Sequence, residues 1–299
     1  MATPEETSRS RAGVGFALAA YGLWGFYGVF FKAMDGIHPL EVVAHRAFWS
    51  IPTAGLAILA MRKLGEVRRI LSTPPLLLRL AMSATLVAIS WGFFVWAIFV
   101  DRTLEASLGY YINPPLNVTV GYAVLGERFT RAQTVAIGLA ILAVAVITIE
   151  TGVLPWLALL LASSFAAYGY LRKTIPVGPV EGYMVESILL SVLGVGLVVW
   201  LVSTGEARFM VDAEDTLLLI ACGPVTALPL MLFSAAARRL RFSTLGLLQY
   251  IAPTGLFLTA VFVFKEPVSA GTLTAFALIW SALALYTIEA IRAERGREV

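Results

Sequence analysis

Glu41, His45 and Trp49 recur every fourth residue in the stretch LEVVAHRAFWS, Leu40 to Ser50, and Arg46 directly follows His45. On an α-helix the first three project from one face, with Arg46 about a quarter turn further round and roughly 7 Å deeper than Glu41. The surrounding residues are those of a helix built for lipid, where holding an ion costs about 2.5–3.5 kcal/mol on insertion scales. An acid, an imidazole and a guanidinium in that solvent must face a bundle interior or a wet cavity. There Arg46 suits a substrate carboxylate, and His45, with an ordinary pKa of about 6.5, suits a group that changes charge during a cycle. The alternative is a structural Glu41–Arg46 pair, or an Arg46 that snorkels to the headgroups.

A second polar group lies in YYINPPLNV, which holds Tyr110, Tyr111, Asn113, Pro114, Pro115 and Asn117. Each proline lacks an N–H, so the carbonyls of Tyr110 and Tyr111 lose their helical partners. In lipid those carbonyls must find protein or water, which argues for a kink lining a cavity. Asn113 and Asn117, one turn apart, either bind substrate or bridge helices, and Gln249, Tyr250 and Pro253 occupy the related place later in the chain. Trp24, Trp49 and Trp91 fall mid-span rather than at the interfaces where belt tryptophans sit, as expected of Trp156 and Trp200. They either wall a pocket for flat or cationic molecules or fill space between helices.

The elements that position these residues are set by composition. Only 14% of the 299 residues are charged and 59% are hydrophobic, against about a quarter charged in a soluble domain. The apolar residues fall in blocks of about 20, long enough to cross a bilayer. Ten spans are expected, near Gly13–Phe31, Pro39–Met61, Leu76–Val100, Leu104–Leu125, Ala132–Ile149, Val153–Leu171, Val180–Val202, Thr216–Ala236, Thr244–Phe264 and Gly271–Ile291. With residues 1–12 and 292–299 as cytoplasmic tails and loops assigned alternately, about 17 Lys/Arg fall inside, Arg172 among them, and about 4 outside, with Arg46 left in the membrane. The basic residues are topology signals and give no argument for a nucleic-acid partner. Cys222, the single cysteine, lies in an apolar block and reads as an inert small hydrophobe.

The two halves echo one another. Pro114, Glu127 and Thr130 recur as Pro253, Glu266 and Ser269; YGVFFK (Tyr27–Lys32) recurs as YGYLRK (Tyr168–Lys173); HPLE ending at Glu41 recurs as GPVE ending at Glu181. All are displaced by about 139 to 141 residues. Five spans per half is an odd number, so residues 151–291 would be inserted upside down relative to residues 13–150, as in many secondary transporters. The displacement sets Glu186 against Arg46, which makes Glu186 a second coupling candidate. Thr130 and Ser269 are expected to cap the helices that follow them.

LAAYGLWGF, HRAFWS, YYINPPLNV with GERFT, YGYLRK, GPVTALPLMLF and LGLLQYIAPT together resemble the RarD branch of the EamA family, in the drug/metabolite transporter superfamily. The resemblance covers nearly the whole chain. It implies an all-α, multi-pass protein of the bacterial inner membrane, with ten helices in two inverted repeats, that moves small metabolites or drugs outward. Relatives in that branch carry the label "chloramphenicol-sensitive", and cousins in the superfamily export amino acids.

Against an enzyme, the chain has two histidines, HPLEVVAH lacks the HExxH spacing, and there is neither a G-x-S-x-G stretch nor a Walker glycine loop. No cofactor or metal is expected. The expected partners are a small-molecule substrate, the lipid bilayer and, unless the substrate's own gradient supplies the energy, the proton. A passive channel or a membrane scaffold is the remaining alternative.

Overall fold

The computed structural model describes residues 4–99, 103–152, 156–265 and 268–295. Those residues form thirteen α-helices and no strand. In order they are α1 Pro4–Gly25, α2 Tyr27–Lys32, α3 Pro39–Ala60, α4 Leu64–Leu71, α5 Pro74–Phe99, α6 Thr103–Ala123, α7 Arg131–Thr151, α8 Trp156–Thr174, α9 Pro179–Thr204, α10 Ala213–Ala237, α11 Phe242–Leu248, α12 Ile251–Leu258 and α13 Ala270–Arg295. A π-helical turn, Thr259–Val263, continues α12. Among the described residues, seven helical segments are long and apolar enough to cross a membrane. Of the expected spans, α6 and α8 fall outside the seven, diluted by prolines and asparagines in one and by Arg172 and Lys173 in the other. The apolar part of α13 within those residues, Ala270–Tyr286, is shorter.

Local chemistry sets the helix ends. Pro39 and Pro179 open α3 and α9, where a missing N–H costs nothing. Thr130 and Gln133 form a reciprocal capping box on α7, and the Ser269 hydroxyl accepts from the Thr272 N–H at 3.0 Å at the start of α13. Gly152 and Gly205, at φ 63° and 74°, end α7 and α9 in the left-handed region. Glu127 reaches across the chain to the start of α11, accepting from the N–H groups of Phe242 (2.6 Å) and Ser243 (3.1 Å). Its repeat counterpart, Glu266, lies outside the described residues.

In three places the structure adds detail to the expected elements. The first span is not continuous: it breaks at Phe26, between α1 and α2, where Gly25 meets Gly255 backbone to backbone. The span near Thr244–Phe264 is split into α11, α12 and the π turn, because Pro253 supplies no N–H to the Gln249 carbonyl and the chain tightens there instead. The loop expected at RKLGEVRR contains α4, which buries Val67 and Ile70 and exposes Arg68 and Arg69.

The bundle is built on close helix pairs: α3 with α9, α7 with α13, α6 with α8 and α11, α1 with α10, and α5 with α8. Gly194 packs against the backbone of Ala44, and Gly55 lies near the end of Met184, so α3 and α9 run antiparallel. Gly223 of α10 sits so close to Trp49 of α3 that an added Cβ would collide with the Trp49 carbonyl. Gly223→Ala is therefore expected to cost about 1–3 kcal/mol. In thermal melts of the detergent-solubilised protein it should lower the transition clearly. Gly15→Ala, at a glycine with open space around it, should leave the transition unchanged or raise it slightly.

Candidate substrate and coupling site

The half-buried Arg46 guanidinium is the centre of one polar site. Its Nε donates to Thr226 Oγ1 at 3.0 Å, and the group lies over the rings of Trp91 at 4.4 Å and Phe31 at 5.5 Å. Its charge reaches the hydroxyls of Tyr27, Tyr110 and Tyr183. Trp24 joins this wall through its indole N–H, which donates to Tyr27 Oη at 3.2 Å, while its ring packs on Phe165 and Phe233. Tyr27 in turn donates to the Val225 carbonyl at 2.5 Å. Trp24, Arg46 and Trp91 are thus brought together, while the Tyr110 ring packs on Phe94. Phe31, Tyr27, Tyr183 and Thr226 are additional members, and α2, α9 and α10 deliver the last three. Among the described residues no carboxylate pairs with Arg46.

Glu41 does not supply one. It is fully buried, and its two oxygens accept from the N–H groups of Arg208 (3.0 and 2.9 Å) and Phe209 (2.9 Å) in the loop between α9 and α10. The structural Glu41–Arg46 pair is therefore set aside, as is snorkelling, since Arg46 turns inward to Thr226 and Trp91. His45 Nδ1 accepts from Trp49 Nε1 at 3.0 Å, and Nε2 lies 4.0 Å from Glu41 Oε1. That geometry fits the neutral Nε2–H tautomer. The Phe209 ring covers both His45 and Trp49. Glu41, His45 and Trp49 thus lock a loop onto α3, on a face separate from Arg46.

The other expected residues form an interhelical network. Asn113 Nδ2 donates to the Ala162 carbonyl at 2.7 Å, and Asn117 Nδ2 donates to Asn113 Oδ1 and Gln249 Oε1, both at 3.0 Å. Tyr250 Oη donates at 3.2 Å to the Tyr111 carbonyl, one of the two freed by Pro114 and Pro115. Of the two roles open to the asparagines, the bonds are those of helix bridging. Tyr111, whose ring meets Phe276, belongs to this network and not to the Arg46 wall.

A second charged centre lies around Glu186, which is buried together with Arg172. Arg172 was expected in a cytoplasmic loop. It is instead almost wholly enclosed, with Nη1 3.4 Å from Glu186 Oε1, Nε donating to Ser234 Oγ at 3.0 Å and Nη2 to the Pro179 carbonyl at 2.9 Å. Its signal in the sequence was the echo of YGVFFK in YGYLRK, which sets Arg172 opposite Phe31. At the start of α9, Glu181 pairs with Lys63 at 2.8 Å and holds that amine above its ordinary pKa.

Apolar helices of membrane-crossing length, enclosing a cation beneath aromatic rings, define a multi-pass integral membrane protein. The model of the EamA-like transporter family matches residues 11–149. A protein RarD of Escherichia coli is 41% identical over 97% of this chain and 98% of its own, and one of Streptomyces exfoliatus is 40% identical over 96% and 92%. An uncharacterised transporter of Pseudomonas aeruginosa is 41% identical over 97% of both chains. A solved crystal structure shares the fold at a TM-score of 0.76, with 20% identity over 94% of this chain and 99% of that one. The chain belongs to the RarD-type branch of the EamA-like transporter family, and is a membrane transporter of the bacterial inner membrane.

The Glu41 clamp is open to test. Glu41→Gln turns an amide NH2 toward backbone donors and forfeits charged hydrogen bonds of about 1.5–3 kcal/mol each. Hydrogen-exchange mass spectrometry should show the segment 205–211 exchanging at least tenfold faster in this variant, with Glu206→Gln close to wild type.

Proposed function

We propose that this transporter exports small metabolites or drugs by alternating access, with Arg46 as the anchor for a substrate carboxylate. The observation that carries the reading is the guanidinium itself: it is set among apolar helices, lies against two aromatic faces and one hydroxyl, and meets no carboxylate. A buried charge left unpaired is costly, and a bidentate carboxylate offsets that cost. Trp24, Trp91, Tyr27 and Tyr110 suit a flat or amphiphilic body beside that carboxylate. Amino acids fit this description, and amphiphilic compounds such as chloramphenicol fit the aromatic wall alone. The chemistry asked of the site is binding and release, with no bond made or broken.

The architecture of the proposal is ten spans in two inverted five-helix repeats, residues 13–150 and 151–291, with both tails cytoplasmic. Contacts that exchange between the halves support it: Ala44 with Gly194 and Gly55 with Met184 are the same contact when residues about 140 apart are swapped. Glu41 at the start of α3 grips the loop after α9, and Glu181 at the start of α9 pairs with Lys63 after α3. Two similar halves of opposite orientation give inward- and outward-open states of comparable energy. The driving gradient is that of the proton, with His45 and Glu186 the coupling candidates, or of the substrate itself. Pro114 and Pro253, inside α6 and α12, are the proposed gating positions.

Counterflow separates this carrier from a channel or a scaffold. Proteoliposomes loaded with unlabelled amino acids or chloramphenicol should accumulate the labelled compound transiently, which a passive pore cannot do. Arg46→Ala should weaken apparent affinity for a carboxylate substrate about a hundredfold, with Arg46→Lys in between. Unchanged counterflow in Arg46→Ala would remove Arg46 from the site. For topology, buried Cys222 gives an unreactive background. A cysteine at Arg68 should be labelled by an impermeant thiol reagent from the cytoplasmic side alone, and one at Val211 from the opposite side; the reverse pattern overturns the orientation.

A further inference from the structure

We propose that Glu186, Tyr168 and Ser83 form a buried single-proton site, the coupling-ion site of this transporter. The proposal rests on the transport reading above and assigns the proton to Glu186 rather than to His45.

The argument begins with unfilled bonding capacity. A carboxylate accepts about four hydrogen bonds, yet Glu186 receives one long contact, 3.4 Å from Arg172, and its Oε2 has none. The Tyr168 hydroxyl and Ser83 Oγ are also buried without a hydrogen-bond partner in range. Tyr168 lies one turn before Arg172 on α8, and Ser83 lies on α5, which packs against both α8 and α9; both bear on the Glu186 carboxyl. Three buried polar atoms without partners are thus carried by the helices that meet around Glu186.

A hydroxyl donates or accepts as required. When Glu186 is ionised, Tyr168 and Ser83 donate to it. When a proton from the aqueous side then open adds to Oε2, the neutral carboxyl becomes the donor and a hydroxyl accepts. The site thus accommodates both states without rebuilding.

Arg172 is held in a way that permits the change. Its bonds to Ser234 and the Pro179 carbonyl do not involve Glu186, so the pair can weaken without leaving the guanidinium bare. Gly182 allows this placement, since any Cβ there would collide with Arg172 Nη1. The remaining charged groups around the site are committed elsewhere. Arg238, at the end of α10, donates to the Ile175 carbonyl at 3.1 Å; Lys63, ahead of α4, is taken by Glu181. Arg46 of α3 and Glu186 both act on Tyr183, which lies one turn before Glu186 on α9. His45 is the weaker candidate because protonating Nδ1 would break its bond from Trp49, while Glu41 is already filled by backbone donors.

The test is an infrared pH titration of the protein in lipid nanodiscs, with no substrate present. Wild type should show a protonated-carboxyl C=O band that grows as pH falls, is lost in Glu186→Gln and persists in His45→Gln. Tyr168→Phe keeps the ring stacked on Phe233 and removes one donor to the anion, so it should raise the midpoint by about one pH unit. A wild-type band that is absent, a band that survives Glu186→Gln, or a midpoint unmoved by Tyr168→Phe each overturns the proposal. A normal titration in a protein that shows no counterflow of any amino acid or chloramphenicol would instead count against the export reading and leave the proton site standing.

Discussion

A bilayer offers no water to a polar group, so each such group inside this bundle is bonded to protein or left bare. Most are bonded, and over long distances in sequence. Glu41 ties α3 to the loop after α9, Glu127 ties the loop after α6 to α11, and Asn113, Asn117 and Gln249 join α6, α8 and the turn after α11. Lipid tails are as apolar as leucine, so helices gain little by hiding apolar surface from them; packing and interhelical hydrogen bonds must hold the bundle together. Close backbone approach supplies the packing, at Gly25 against Gly255 and Gly223 against Trp49. The prolines of α6 fit the same logic, because the Tyr111 carbonyl they release is met by Tyr250.

Arg46 and Glu186 are incompletely met, as are His45 Nε2, Asn117 Oδ1 and Glu181 Oε2, and well-packed apolar residues would serve stability as well or better than a charge with poor partners. A structural account explains Glu41, whose oxygens are filled, and the asparagines, whose donors are used. It does not explain a guanidinium facing rings and one hydroxyl, or a buried carboxylate oxygen with no partner. The sites are mechanically joined: Tyr183 Oη donates to Ser50 Oγ at 2.9 Å, and Ser50 Oγ donates to the Arg46 carbonyl at 2.6 Å. A shift of α9 is therefore felt at Arg46 through two hydrogen bonds.

What could be read from the sequence was what depends on short stretches. Apolar run lengths located the long helices, and Thr130 and Ser269 were recognisable as caps because a cap is made within four residues. The proline-freed carbonyls were also foreseeable, though their rescuer, Tyr250, was not. The break at Phe26 was illegible because the residue packed beside it, Gly255, lies in the other half of the chain. Asn113 and Asn117 looked the same for binding or bridging until their partners were known. Arg172 was misplaced because LRKT resembles an ordinary basic loop, and only its position opposite Phe31 in the echo distinguished it.

That exchange of Phe31 for Arg172 explains how opposite charges coexist in the bundle without cancelling. Arg46 and Glu186 occupy positions 140 residues apart, and Phe31 and Arg172 positions 141 apart, so the echo pairs both sets. Phe31 lies 5.5 Å from Arg46, and Arg172 lies 3.4 Å from Glu186. An aromatic face steadies a cation without neutralising it, which leaves Arg46 able to take an anion from outside. A guanidinium beside a carboxylate offsets part of its charge. The exchange of Phe31 for Arg172 thus gives the proposed carboxylate site and the proposed proton site different immediate surroundings.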